Sequence, residues 1–106
     1  MKAPAHLSGE VKKWYAQVIE SYELEPHHLR LLQLAGESWD RCRQAREILD
    51  REGLTYQDRF DAPRTRPEVS IERDNRTAFV RIIRELDLDI DAPAQASRPP
   101  ALRSVR

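Results

Sequence analysis

Apolar residues recur along this chain at helical spacing in three runs. Between Gly9 and Tyr22 they are Val11, Trp14, Tyr15, Val18, Ile19 and Tyr22, at i, i+3, i+4, i+7, i+8 and i+11. That is one face of an amphipathic helix. Glu10, Lys12, Lys13, Gln17 and Glu20 make its outer face, and Ser8 is placed to cap its first turn. Residues 1–7 contain Pro4 and read as an extended lead-in.

The second run, Pro26 to Glu52, organises the rest. Pro26 suits a first helical position, where its missing N–H costs nothing, and Gly53 suits the residue past the end. At 1.5 Å per residue this helix would be about 40 Å long. It carries two apolar seams. Leu31, Ala35, Ser38, Cys42, Ala45 and Leu49 form one; Leu29, Leu32, Gly36 and Trp39 form its neighbour. So broad an arc fits a helix packed on several sides by its own chain, and it equally fits one shared with a second subunit. The short link through Leu24 and Glu25 predicts an antiparallel or steeply crossed pair with the first helix.

After Gly53 the period breaks. Leu54, Tyr56 and Gln57 read as extended, and Asp58–Arg66, ahead of Pro67, completes a short hairpin or irregular arm. Helix returns from about Pro67 to Leu86, with Phe79, Ile82, Ile83 and Leu86 on one face and Ile71 near its edge. Arg73, Arg76, Arg81, Arg84, Glu72, Asp74 and Glu85 are assigned to the opposite face. The expected fold is mainly α: a long central helix packed with two shorter ones, plus a β-hairpin or extended arm before the last. The expected organisation is a lead-in at 1–7, one helical domain at 8–90 and a disordered tail at 91–106, rich in Pro, Ala and Ser.

Composition sharpens this picture. With 34% charged and 7% aromatic residues in a chain of 106, the core is thin, and oligomerisation is a common remedy for a small domain with little to bury. Net charge is zero but uneven. Residues 1–91 hold all 18 acids and 15 of the 18 Lys and Arg, while residues 92–106 hold Arg98, Arg103 and Arg106 and no acid. An acidic body with a basic tail hints at a polyanionic partner. The single cysteine, Cys42, excludes an intramolecular disulfide. No apolar run is long enough to span a membrane and no signal peptide is evident, so a cytoplasmic protein is expected.

Chemistry is sparse. Three glycines and no phosphate-loop pattern argue against a nucleotide site. His27 and His28 are adjacent and so point to different sides of a helix; with His6 and Cys42 they make no metal-ligand spacing. The pairs Glu23/Glu25 and Asp87/Asp89 lie at loop edges, where carboxylates are usually solvated. Asp40–Arg46 reads as a solvated face with local ion pairs, ahead of the alternative of a direct DNA contact. Neither an enzyme nor a cofactor site is expected.

The order of short motifs nevertheless resembles a family. Leu7-Ser8 opens the first helix, with Trp14 inside it, and Glu37-Ser38-Trp39-Asp40-Arg41 lies in the long helix. Gly53-Leu54-Thr55, Asp58-Arg59-Phe60, Pro63 and Pro67 follow, and the last helix carries Glu72-Arg73-Asp74, Phe79 and Arg84-Glu85-Leu86 before a Leu-Asp close. Over roughly residues 4–90 this is similar to the small subunit of a tailed-phage terminase. The resemblance implies a non-catalytic packaging factor that forms rings, often nonameric. It would recognise double-stranded viral DNA, and recruit and regulate the large subunit, which holds the ATPase and nuclease. A host-cell cytoplasmic location follows if the gene is phage or prophage encoded. The chain is shorter than many such subunits and shows no separate N-terminal helix-turn-helix domain, so the resemblance does not place the DNA contacts. A small helical DNA-binding regulator or a protein–protein adaptor is the alternative, and a regulator would more often be a dimer with a basic recognition helix.

Candidate DNA contacts are the cations that no nearby acid obviously neutralises: Lys2, Lys12, Lys13, Arg64, Arg66, Arg98, Arg103 and Arg106. Candidate subunit contacts are Leu31, Leu32, Trp39 and Leu49, from the two seams of the long helix.

Overall fold

The computed structural model describes residues 2–88. Three helices, α1 (Gly9–Ser21), α2 (Pro26–Glu52) and α3 (Pro67–Leu86), are joined by a short α1–α2 link and, between α2 and α3, by a two-stranded antiparallel arm, β1 (Thr55–Gln57) and β2 (Pro63–Thr65). The long helix has the expected bounds. Pro26 and Pro67 occupy first-turn positions of α2 and α3. Gly53 closes α2 at φ 87° and ψ −178°, a region open essentially to glycine alone, with its N–H donating to the Leu49 carbonyl. The Ser8 hydroxyl accepts from the Val11 N–H and caps α1.

α3 runs back along α2. The pairs that meet are Cys42 with Glu72, and Trp39 with Phe79, while Leu32 and Leu86 share the core. Partner numbers rise on one helix as they fall on the other, which makes the pair antiparallel. α1 covers the end of this helical pair away from the arm, and Leu7, Val11, Tyr15, Val18, Leu32 and Leu86 form the buried cluster there. The broad apolar arc of α2 is therefore partly explained within one subunit, since α1 takes the Gly36 side and α3 the Cys42 side.

The approach of α1 explains the glycine inside α2. A Cβ at Gly36 would lie 2.7 Å from Val11 Cγ1, and Val11 is both buried and stiff at χ1. Alanine in a helix interior ordinarily gains about 1 kcal/mol over glycine, but overpacking costs about 1–3 kcal/mol. Gly36→Ala should therefore lower the thermal midpoint, a reversal of the usual sign, in a calorimetric comparison with wild type.

Two expectations need correction. Residues before α1 are not extended throughout: Pro4 and Leu7 close a turn, Leu7 is buried against α2, and His6 meets Glu37 at 2.7 Å. Glu72 is not on the solvent face of α3. It is only 8% exposed and faces α2, because it stands seven residues before Phe79 and therefore on the same side of the helix.

Candidate functional site

Three surface features remain once the core is accounted for. The first is the arm. Both strands are exposed throughout, and Leu54, Tyr56 and Phe60 stand 63%, 44% and 74% exposed. A two-stranded hairpin is marginal by itself, and Asp58 is what shapes this one. Its carboxylate accepts from the Phe60 and Ala62 N–H groups at 2.8 and 3.0 Å and from Arg64 Nε at 2.9 Å. The Ala62 N–H, helped by Arg64, holds the Asp58 carboxyl below its usual range. Asp61 takes a left-handed conformation at φ 62°, which aspartate tolerates better than most residues. The result is a tight tip that holds Phe60 out into solvent, with Arg59 over one ring face, 4.9 Å from its centroid.

The second is an aromatic groove between the helices. Phe79 of α3 lies 5.2 Å from Trp39 and 5.9 Å from Trp14, ring centre to ring centre, in tilted geometry. On one side of this cluster is a cavity of about 260 Å³ reaching Glu10 and Val11; on the other is one of about 420 Å³ reaching Cys42 and Val80. Charges rim the second: Glu72 pairs with Arg46 at 3.2 Å and with Arg76 one turn along α3, and Arg43 pairs with Glu10 and Glu47. The Cys42 thiol donates to Glu72 at 3.5 Å, and burial, with the neighbouring carboxylate, pushes that thiol up.

The Arg76 hydrogen bond holds the Glu72 carboxyl below its ordinary value of 4.5, against the opposing effect of burial. A lowered folded value means that the charged carboxylate stabilises the fold above that ordinary value, and that this stability is lost as pH falls through the folded value. Denaturation followed from pH 6 down to about pH 3 should show a progressive loss of stability in wild type, with a smaller slope in Glu72→Gln. Glu37, lowered by its Gln33 and His6 hydrogen bonds, and Asp58 contribute in the same direction.

The third feature is the set of cations. Lys2, Lys12 and Lys13 are exposed, and none has a carboxylate within 4.0 Å among the described residues. Arg64 and Arg66 differ from expectation: Arg64 pairs with Asp58 and Arg66 with Glu68 at 3.1 Å. Hairpin pairing and the α3 first turn bring in these acids. Among the described residues the candidates are not gathered into one patch, since Lys12 and Lys13 lie on α1 and Arg64 and Arg66 on the arm. Arg98, Arg103 and Arg106, with the whole 91–106 segment, lie outside the described residues.

Of the candidate subunit contacts, Leu32 is fully enclosed within the subunit and serves its core. Leu31 and Leu49 are half-buried, and Trp39, at 37% exposed, is the most accessible of the four. The histidine pair stays at the start of α2, where His28 Nδ1 accepts from the Glu25 N–H. Among the described residues no group of His, Cys, Asp and Glu is placed to hold a metal ion, and no helix is long and apolar enough to cross a membrane.

Comparison with known families decides the relationship. A sequence model of the family described as phage terminase, small subunit, matches residues 11–101, spanning nearly all of α1 and the whole of α2, the arm and α3. The chain belongs to that family. No curated protein and no solved structure matches it. As a terminase small subunit it is a component of phage DNA packaging. The matched span extends beyond α3 into the Pro- and Ala-rich segment.

Proposed function

We propose that this terminase small subunit is a non-catalytic packaging factor that assembles as a ring of identical subunits. In this reading it binds double-stranded viral DNA and recruits and regulates the large subunit, which supplies the ATPase and nuclease. The family match over residues 11–101 carries the proposal. Two surfaces support it: an aromatic groove and an arm with exposed apolar side chains, both more than a small monomer needs. Subunit number is left open, with nine as the family expectation. In this scheme residues 8–90 are the assembling body and 91–106 a basic extension toward DNA or the large subunit.

For DNA, Lys12 and Lys13 are the primary contacts, joined by Lys2 from the segment before α1 and by Arg98, Arg103 and Arg106 from the tail. Arg64 and Arg66 are secondary, because each already has a carboxylate partner. A few cations per subunit suffice in a ring, where weak phosphate contacts repeat and add. Such contacts hold a duplex without reading its bases. Fluorescence anisotropy of a labelled duplex tests this directly. Binding should weaken steeply between about 50 and 200 mM salt as counterion release is suppressed; no salt-sensitive binding at either concentration would refute the DNA role of the isolated subunit.

A further inference from the structure

We propose that the arm of one subunit docks in the aromatic groove of a second copy of the same chain, with Phe60 as the inserted side chain. This rests on the self-assembly reading and names the surfaces that carry it.

The two patches suit one another. The arm tip offers an aromatic ring that is 74% exposed, on a turn fixed by Asp58 rather than on a floppy loop. A rigid anchor loses little freedom when it docks. The larger cavity beside Trp39 and Phe79, about 420 Å³, is open and has an apolar floor that Val80 extends. Charge agrees as well. Arg43 is answered by Glu10 and Glu47, but Arg46 and Arg76 share the single carboxylate of Glu72, so that side of the rim carries one unbalanced positive charge. Beside Phe60 stands Asp61, which makes no ion pair among the described residues, whereas Asp58 is taken by Arg64. An aromatic side chain flanked by an unengaged carboxylate fits an aromatic floor with an arginine rim, and aromatics and arginine are the residue types that anchor protein contacts. In its own subunit the arm lies off the groove, as the exposure of Phe60 requires.

Arm and groove are different parts of the chain. Two copies could exchange arms reciprocally in a closed pair, but the proposed contact is head-to-tail, leaving each docked pair with one free arm and one free groove. Contacts of that type repeat from copy to copy and close into a ring when the rotation permits. Arg59, stacked on one face of Phe60, leaves the other face and the ring edge for the groove.

Complementation between two defective variants tests this. Phe60→Ser removes the anchor, and Val80→Asp places a carboxylate on the groove wall; both residues are solvent-exposed, so far-UV circular dichroism should match wild type. Mass by light scattering at micromolar concentration should give a multiple of 12.4 kDa for wild type and a single 12.4 kDa species for each variant alone. An equimolar mixture retains one intact arm facing one intact groove, so it should form a one-to-one pair and stop there. If wild type assembles and either variant keeps its mass, arm docking is wrong while self-assembly stands. If both variants are monomeric but their mixture stays monomeric, the head-to-tail pairing is wrong. A wild-type monomer overturns both the docking and the assembly reading.

Discussion

Leu32→Ala should remove a large share of the domain's folding stability. Leu32 is fully buried where α1, α2 and α3 meet, in one cluster with Val11, Tyr15, Val18 and Leu86. Removing a buried leucine to Cβ costs about 2–5 kcal/mol, and the upper part of that range applies where neighbours cannot collapse into the space. Here they cannot easily do so, because Val11 is held by its close approach to Gly36 and Leu86 sits in the last turn of α3. Small domains have about 5–15 kcal/mol in total, and this core is small. Urea denaturation followed by circular dichroism should show a much lower midpoint. An interface role for Leu32 predicts something else: dissociation with helicity and midpoint preserved in the separated subunits. The two outcomes separate core from contact at this position.

Reversing Lys12 and Lys13 together should lower duplex affinity at least tenfold at low salt and flatten the salt dependence. Both lie on the exposed side of α1, while Val11, Tyr15 and Val18 turn inward, so the double change to glutamate leaves the core intact. Removing one phosphate contact reduces the slope of log affinity against log salt by about 0.9, and a ring multiplies the effect by the number of subunits touching the duplex. The matched reversal of Arg64 and Arg66 should cost less per charge toward DNA, since these arginines already answer Asp58 and Glu68, and should also disturb the arm. Equal effects from the two pairs, with folding and mass unchanged, would show that pairing within the subunit does not govern DNA binding.

Much of the architecture was legible from the chain because its boundaries are written in residues with one job. Pro26 and Pro67 open helices, Gly53 closes one, and the loss of helical period after Gly53 marks the arm. What stayed hidden depends on which helix lies against which. Leu32 reads as a subunit contact from the seam alone, and only the packing of α1 and α3 around it makes it core. Glu72 reads as solvated because it is charged, although its seven-residue spacing to Phe79 already puts it on the inward face. Arg64 looks unpaired because Asp58 is six residues away in sequence and adjacent only once β1 and β2 pair. Leu7 follows a proline-containing stretch that suggests an extended segment, and the turn from Pro4 that tucks it under α2 has no strong local signature. The aromatic groove could not be foreseen at all, since Trp14, Trp39 and Phe79 come from three different helices.

Sedimentation of the protein with a labelled duplex tests the central claim, a self-assembling DNA-packaging subunit, in one measurement. At about 50 mM salt the duplex should sediment with an assembly of several 12.4 kDa subunits, and at about 200 mM the assembly should persist while the DNA separates from it. A 12.4 kDa protein boundary with the duplex unshifted at both salt concentrations would contradict the account.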